Sequence, residues 1–143
     1  MNKIAIVFWS GTGSTEAMAN YIAEGIRTAG GEAEVMGPGD FSAAQLTAYS
    51  AVAFGCPAMG DESLEESEFE PMFSALESSL SGRRIALFGS YGWGDGQWMR
   101  DWCARCGKAG AVLLDENGLI VNEMPDTDGE AACKELGRKL AAW

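Results

Sequence analysis

Histidine is absent from this 143-residue sequence, and basic residues are scarce: 10 Lys and Arg stand against 21 Asp and Glu, a formal net charge of −11. Without imidazole the chain lacks the commonest general base at neutral pH and the commonest zinc ligand. Hydrolytic triads and His-bearing metal centres are thereby excluded, whereas one-electron chemistry stays open to a bound cofactor. Scarce Lys and Arg make nucleic acid a poor partner, since phosphate contacts need clustered cations. An acidic chain suits partner proteins with basic surfaces, and acidity equally keeps a cytoplasmic protein soluble. No apolar run approaches the roughly 20 residues that span a bilayer, so no membrane role is expected. Met1-Asn2-Lys3 runs directly into an apolar strand with no leader pattern, and the expected compartment is the cytoplasm. No repeat, low-complexity tract or linker divides the chain, which reads as one domain over 1–143.

Most of the information lies in Lys3–Thr15. An apolar, β-branched run, Lys3-Ile-Ala-Ile-Val-Phe-Trp9, ends in the loop Ser10-Gly-Thr-Gly-Ser-Thr15, after which Met18, Ile22, Ile26 and Ala29 recur at helical spacing. Strand, hydroxyl-rich loop and helix N-terminus together make a phosphate cradle. Ser10, Thr12, Ser14 and Thr15 offer hydroxyls, Gly11 and Gly13 let backbone N–H groups curl inward, and the helix dipole adds partial positive charge. The loop holds no cation, which suits a bound phosphate monoester better than one about to be transferred. Gly13 stands where a Walker loop needs Lys, and Ser14-Thr15-Glu16 breaks the dinucleotide fingerprint.

Strand-like runs recur at Ala33–Met36, Ala51–Gly55, Arg83–Ser90 and Ala111–Leu114, the last continued by Leu119–Val121. Helical patterns alternate with them: Thr15–Ala29, a weak one at Ala43–Tyr49, an apolar stripe Phe69, Met72, Phe73, Leu76 and Leu80, then Gln97–Lys108 and Thr127–Ala141. Alternating β and α elements with continuously apolar strands predict a parallel sheet covered by helices on both faces. Ligands then bind beyond the carboxyl ends of the strands. The loops expected there are Ser10–Thr15, Cys56-Pro-Ala-Met-Gly-Asp-Glu-Ser63 and Ser90-Tyr-Gly-Trp-Gly-Asp-Gly-Gln-Trp98. Trp93, freed by Gly92 and Gly94, can lie against a flat ring, and Met59 can cover the ring's other side. A phosphate plus a planar ring spells a mononucleotide, and FMN fits best.

Cys56, Cys103, Cys106 and Cys133 complete the candidate groups. Cys103-Ala-Arg-Cys106 has the spacing of a redox motif, but with Met99 and Trp102 it lies on one apolar helical face. Buried, inert thiols are the expectation, with a redox or metal role as the alternative.

Trp9-Ser-Gly-Thr-Gly-Ser-Thr-Glu16, Gly55-Cys-Pro-Ala-Met-Gly-Asp-Glu62 and Phe88-Gly-Ser-Tyr-Gly-Trp-Gly-Asp95 resemble the short-chain, clostridial-type flavodoxins in order and spacing, and the likeness covers essentially the whole chain. That resemblance implies a flavodoxin-like three-layer α/β sandwich with a five-stranded parallel sheet in the order 2-1-3-4-5. It also implies non-covalent FMN and a low-potential carrier of single electrons among redox partner proteins, monomeric and not an enzyme. Carried over by residue, Ser10 to Thr15 would wrap the FMN phosphate behind Trp9, and Met59 and Trp93 would flank the isoalloxazine. Glu62 would face the flavin N3–H, and the backbone of Gly89, Tyr91 and Gly94 would line the pyrimidine edge. Pro57, Ala58, Gly60, Asp61, Ser90, Gly92 and Trp98 complete the set, with Asn122 on the ribityl side. Ser14 departs from the family, where Asn is common; the hydroxyl is kept and the amide arm is lost.

The redox behaviour follows from charge and hydrogen bonding. Gly60 reaches φ > 0 without penalty, so the Gly60–Asp61 peptide can turn its carbonyl to N5–H once the first electron has arrived, favouring the semiquinone. Acids at Asp61, Glu62 and Asp95 disfavour the anionic hydroquinone and lower its potential. The carrier is expected to shuttle between those two states. An FMN-dependent NAD(P)H or quinone reductase of related fold is the enzyme alternative, and it needs room over the ring that Met59 and Trp93 would fill. A phospho-receiver domain needs an Asp where Phe54-Gly55-Cys56 stands. A low-molecular-weight phosphatase needs an Arg where Glu62 stands.

Overall fold

Period-two alternation in the strands sorts the interior into two layers. In β1 (Lys3–Phe8), Ile4 and Ile6 join one buried cluster while Ala5 and Val7 join the other. The computed structural model describes residues 2–143. Its remaining strands are β2 (Glu32–Met36), β3 (Ala51–Gly55), β4 (Arg84–Tyr91), β5 (Val112–Leu113) and β6 (Leu119–Asn122). The helices are α1 (Ser14–Thr28), α2 (Phe69–Leu76), α3 (Gln97–Lys108) and α4 (Thr127–Ala142).

All strand pairs are parallel, in the order β2-β1-β3-β4-β5, with β6 also on β4. The fifth strand expected from the sequence therefore arrives as two short pieces on the same edge of β4. Asp115-Glu-Asn-Gly118 sits between them as a turn, its Asn117 N–H bonded to the Asp115 carboxylate and Gly118 at φ 71°, a conformation that stops a strand. Two helical expectations also contract. The run Ala43–Ala48 is 3-10, and the stripe predicted to reach Leu80 ends as α-helix at Leu76 and finishes in a 3-10 turn over Glu77–Ser79.

One face of the sheet is covered by α1 and α4, through Met18, Ile22, Ile26, Cys133, Leu136 and Leu140. The other is covered by α2 and α3, where Phe73 packs edge to face on Phe54 and Trp102 edge to face on both Phe69 and Phe73. Arg105 pins α2 to α3 from outside: it donates to Glu70 at 2.7 and 2.8 Å and to Glu77 at 2.9 and 3.0 Å, with its guanidinium 5.0 Å from the Phe73 ring centre. Hydrogen bonding to Arg105 is the main cause holding the Glu70 carboxyl below its ordinary range.

That packing accounts for the Cys-Ala-Arg-Cys pattern. Arg105 faces α2, while Cys103 and Cys106 face the core, and all four cysteines are free and buried. Burial pushes the thiols of Cys56, Cys106 and Cys133 up to about 12 and raises Cys103 in the same direction. Native protein is therefore expected to react with a thiol reagent far more slowly than denatured protein. Rapid labelling of Cys103 and Cys106 in the folded state would restore the redox reading.

Candidate functional site

Three loops leave the carboxyl ends of β1, β3 and β4 at the point where the chain reverses its winding direction. Backbone bonds zip their bases together: Trp9 N–H to the Gly55 carbonyl (3.0 Å), Cys56 N–H to Phe88 (3.1 Å) and Ala58 N–H to Ser90 (3.0 Å). Between them lies a cavity of about 490 Å³, lined by Trp9, Gly11, Thr12 and Ser14 from the first loop, Pro57, Ala58, Met59 and Gly60 from the second, Ser90, Tyr91 and Gly92 from the third, and Glu123. The volume is that of an ordinary small-molecule site.

The first loop is shaped by Ser10. Its Oγ accepts from the Gly13 and Glu16 N–H groups, both at 3.2 Å. Gly13 is the N-cap of α1 in the left-handed conformation, φ 99°, and contributes no side chain to capping. Among the described residues, no protein group accepts from the Ser14 or Thr15 N–H, so both remain directed out of the helix end as free donors. Gly11 passes so close to Trp9 that a Cβ would meet the indole at 3.1 Å. The donor set is two backbone N–H groups plus the Thr12 and Ser14 hydroxyls, and no cation lines the cavity. Such a set fits a phosphate group.

Several predicted site residues stand elsewhere than the sequence suggested. Ser10 folds the loop rather than lining the cavity. The Thr15 hydroxyl is buried and bonded to the Ser90 hydroxyl at 2.8 Å. Glu62, expected to face a flavin N3–H, turns its carboxylate to the start of α3 and accepts from Trp98 N–H at 2.9 Å. Its Oε1 stands 2.0 Å from where a Gly94 Cβ would be, and Gly94 itself sits at φ 91°, a conformation that favours glycine. Trp98 is core, 2% exposed, with its indole N–H donating to the Cys56 carbonyl at 3.1 Å. Gly89 is likewise packed on the Cys56 carbonyl rather than open to the cavity. Asn122 donates to the Tyr91 and Gly92 carbonyls at 3.2 and 3.4 Å and so braces the third loop from behind. Asp61 is exposed and paired with the Ser63 hydroxyl. Trp93, next to the cavity-lining Gly92, is 67% exposed, an unusual state for the largest side chain.

Two residues were missed. Glu123 reaches the cavity because β6 runs one residue past the predicted end and its N–H bonds to the Tyr91 carbonyl at 2.7 Å. Glu65 is a buried carboxylate that accepts from the N–H groups of Ser67, Glu68 and Phe69 at 2.8–2.9 Å and from the Ser67 hydroxyl, anchoring the second loop to α2. Burial alone would raise its pKa, but the Ser67 hydroxyl and the three N–H groups outweigh it and hold the carboxyl at about 2. A depressed pKa contributes stability above the unfolded value near 4.5 and loses it as pH falls toward 2. Glu65→Gln should therefore cost about 1–2 kcal/mol at pH 7, and the difference from the parent protein should shrink in urea titrations at pH 3. A gap of equal size at both pH values would show that the carboxylate charge is not what holds this loop.

A doubly wound parallel sheet with an anion cradle at its switch point defines an α/β mononucleotide-binding protein. The family model described as flavodoxin matches residues 6–137. A flavodoxin of Clostridium beijerinckii is 48% identical over 136 residues, spanning 95% of this chain and 97% of its own length. A Megasphaera elsdenii flavodoxin is 46% identical over 96% of this chain and 98% of its own. The solution structure of two-electron reduced Megasphaera elsdenii flavodoxin superposes with a TM-score of 0.88 at 45% identity, covering 98% of this chain and 99% of that one. The chain belongs to the flavodoxin family: it is an FMN-binding electron carrier that works with redox partner proteins and is not an enzyme.

Proposed function

We propose that FMN sits in the cavity between the three loops with its phosphate at the N-terminal end of α1, and that the chain passes single electrons at low potential between proteins with basic surfaces. The observation that carries this placement is the pair of free Ser14 and Thr15 N–H donors above a cavity with hydroxyls and no cation. When bound, FMN supplies one-electron chemistry through its ring; the protein holds it and sets its potentials. Thr12 and Ser14 donate hydroxyls to the phosphate, and Met59 covers one side of the ring. Trp93, exposed beside the third loop, closes on the other side. Glu123 in the cavity lining and Asp61, next to the cavity-lining Gly60, oppose any gain of negative charge at the ring, which lowers its potential, whereas Asp95 is paired with Arg100 at 2.9 Å. A net charge of −11 favours encounter with basic partner surfaces. The same charge, with only five large apolar side chains exposed among the described residues, supports a monomer in the cytoplasm. No described helix is long and apolar enough to cross a membrane.

Gly60 carries the redox-dependent step. In the turn closed by Glu62 N–H to the Met59 carbonyl at 2.9 Å, its φ lies outside the left-handed region and a Cβ would meet nothing within 4 Å. This conformation does not require glycine. The alternative one, with φ > 0, does, and it would turn the Gly60 carbonyl toward the ring of a bound FMN. Gly60→Val should leave the fold and the binding of oxidised FMN intact while disfavouring the turned carbonyl by on the order of 1–2 kcal/mol. The gap between the two one-electron potentials should narrow in a spectroscopic redox titration. An unchanged gap would exclude the turn as the controlling element, and failure of the protein to take up FMN at all would overturn the placement.

A further inference from the structure

From the buried hydroxyl pair under the cradle we infer that Ser90 is a positioning residue for phosphate binding, acting through Thr15. The inference rests on FMN phosphate lying at the α1 N-terminus. Thr15 is the second residue of α1 and 1% exposed; Ser90 is the penultimate residue of β4 and 5% exposed; their hydroxyl oxygens are 2.8 Å apart, and either can donate. Each hydroxyl has one hydrogen and two lone pairs, so one hydrogen is spent within the pair and one is left over. A phosphate offers only lone pairs. Thr15 does not itself line the cavity, whereas Ser14 before it does; a Thr15 hydroxyl that meets the phosphate must donate to it, and it can do so only by taking its other bond as an acceptor. Ser90 is then the donor, and the order runs Ser90 O–H to Thr15, then Thr15 O–H to phosphate. The reverse order would point Thr15 lone pairs at an anion, which is repulsive in a site without cations.

Ser90 is well placed to fix that direction. Ser90 lies opposite Val121 of β6 on one side, and on the other its carbonyl holds the Ala58 N–H of the second loop at 3.0 Å. The hydroxyl thus hangs from a rigid strand end rather than from a mobile loop, and it ties the third loop to the first across 75 residues of sequence.

The experiment is a set of dissociation constants for FMN and for riboflavin, read from quenching of flavin fluorescence on the flavin-free protein. The proteins are the parent, Ser90→Ala, Thr15→Val and the double variant. Ser90→Ala should weaken FMN about 5- to 10-fold, the effect of one lost hydrogen bond in a charged site, with riboflavin changed less than about twofold. Ser90 is itself in the cavity lining, so the double variant is the deciding protein: it should bind FMN as Thr15→Val does if Ser90 acts on the phosphate only through the Thr15 hydroxyl. Ser90→Cys, which keeps the shape with a much weaker donor, should reproduce the direction of Ser90→Ala if the alanine variant folds poorly. Equal weakening of FMN and riboflavin by Ser90→Ala would place the Ser90 hydroxyl on the part of the ligand common to both and overturn the inference. So would losses that multiply in the double variant. If the parent itself bound riboflavin as tightly as FMN, the phosphate placement would fail instead, a result distinct from either of these.

Discussion

Gly137→Ala is expected to destabilise the fold by about 2 kcal/mol, although alanine is the better helix former. The two effects can be compared directly. Alanine gains roughly 1 kcal/mol over glycine in a helix interior. At Gly137, however, a Cβ would stand 2.1 Å from the Ile22 carbonyl oxygen and 2.8 Å from Ile26 N, and across the same crossing a Cβ on Gly25 would stand 2.1 Å from the Lys134 carbonyl oxygen. The obstacles are backbone, not side chains that can rotate away, so α1 and α4 must separate and the cluster of Met18, Ile22, Cys133 and Leu136 beneath them loosens. Overpacking that forces backbone to shift costs about 1–3 kcal/mol, and with backbone on both sides of this crossing the upper end outweighs the propensity gain. Gly107 in α3 is the control, because nothing lies within 4 Å of its Cβ position; Gly107→Ala should stabilise by about 0.4–1 kcal/mol. Urea unfolding of the two variants should give opposite signs. A stabilised Gly137→Ala would mean that the helices can part cheaply.

What could be read from the sequence, and what could not, divides along the same line between local pattern and spatial contact. The parallel, two-sided sheet follows from strict β/α alternation and the cradle from the Ser10–Thr15 loop, because both are set by residues close in the chain; the strand order comes with the resemblance to the flavodoxins. The α3 boundaries agree with its apolar stripe residue for residue, Gln97–Lys108. By contrast, nothing near Glu62 in sequence announces that its carboxylate caps a helix 36 residues away. Trp98 counts with the cofactor-binding set because it closes the third loop; its burial is decided by the Cys56 carbonyl and the sheet, both distant in the chain. Glu65 resembles any acid in an acidic stretch until its three N–H partners are assembled. The two pieces of the fifth strand were visible as apolar runs, but their shared pairing with β4 was not.

Ser10→Ala should weaken FMN by about 2–3 kcal/mol, roughly 30- to 150-fold, even though Ser10 lies outside the cavity lining. Its oxygen gathers the Gly13 and Glu16 N–H groups, both 3.2 Å away, and by doing so curls the loop so that Ser14 and Thr15 are left as the free donors. Without that acceptor two further N–H groups become orphans at the helix end, as when a capping side chain is deleted. The loop then has no cation to keep an anion in place while it reorders, and each lost bond to a charged group is worth about 1.5–3 kcal/mol. Stability in the flavin-free state should fall by only about 1 kcal/mol, because the cap is solvent-facing and α1 is held by α4. Riboflavin affinity should change little, since it has no phosphate for the curled loop to receive. Calorimetric titration of both flavins against the parent and Ser10→Ala separates these cases. Equal losses for FMN and riboflavin would mean that Ser10 supports the ring rather than the cradle, and an unchanged FMN affinity would mean that the loop keeps its curl without it.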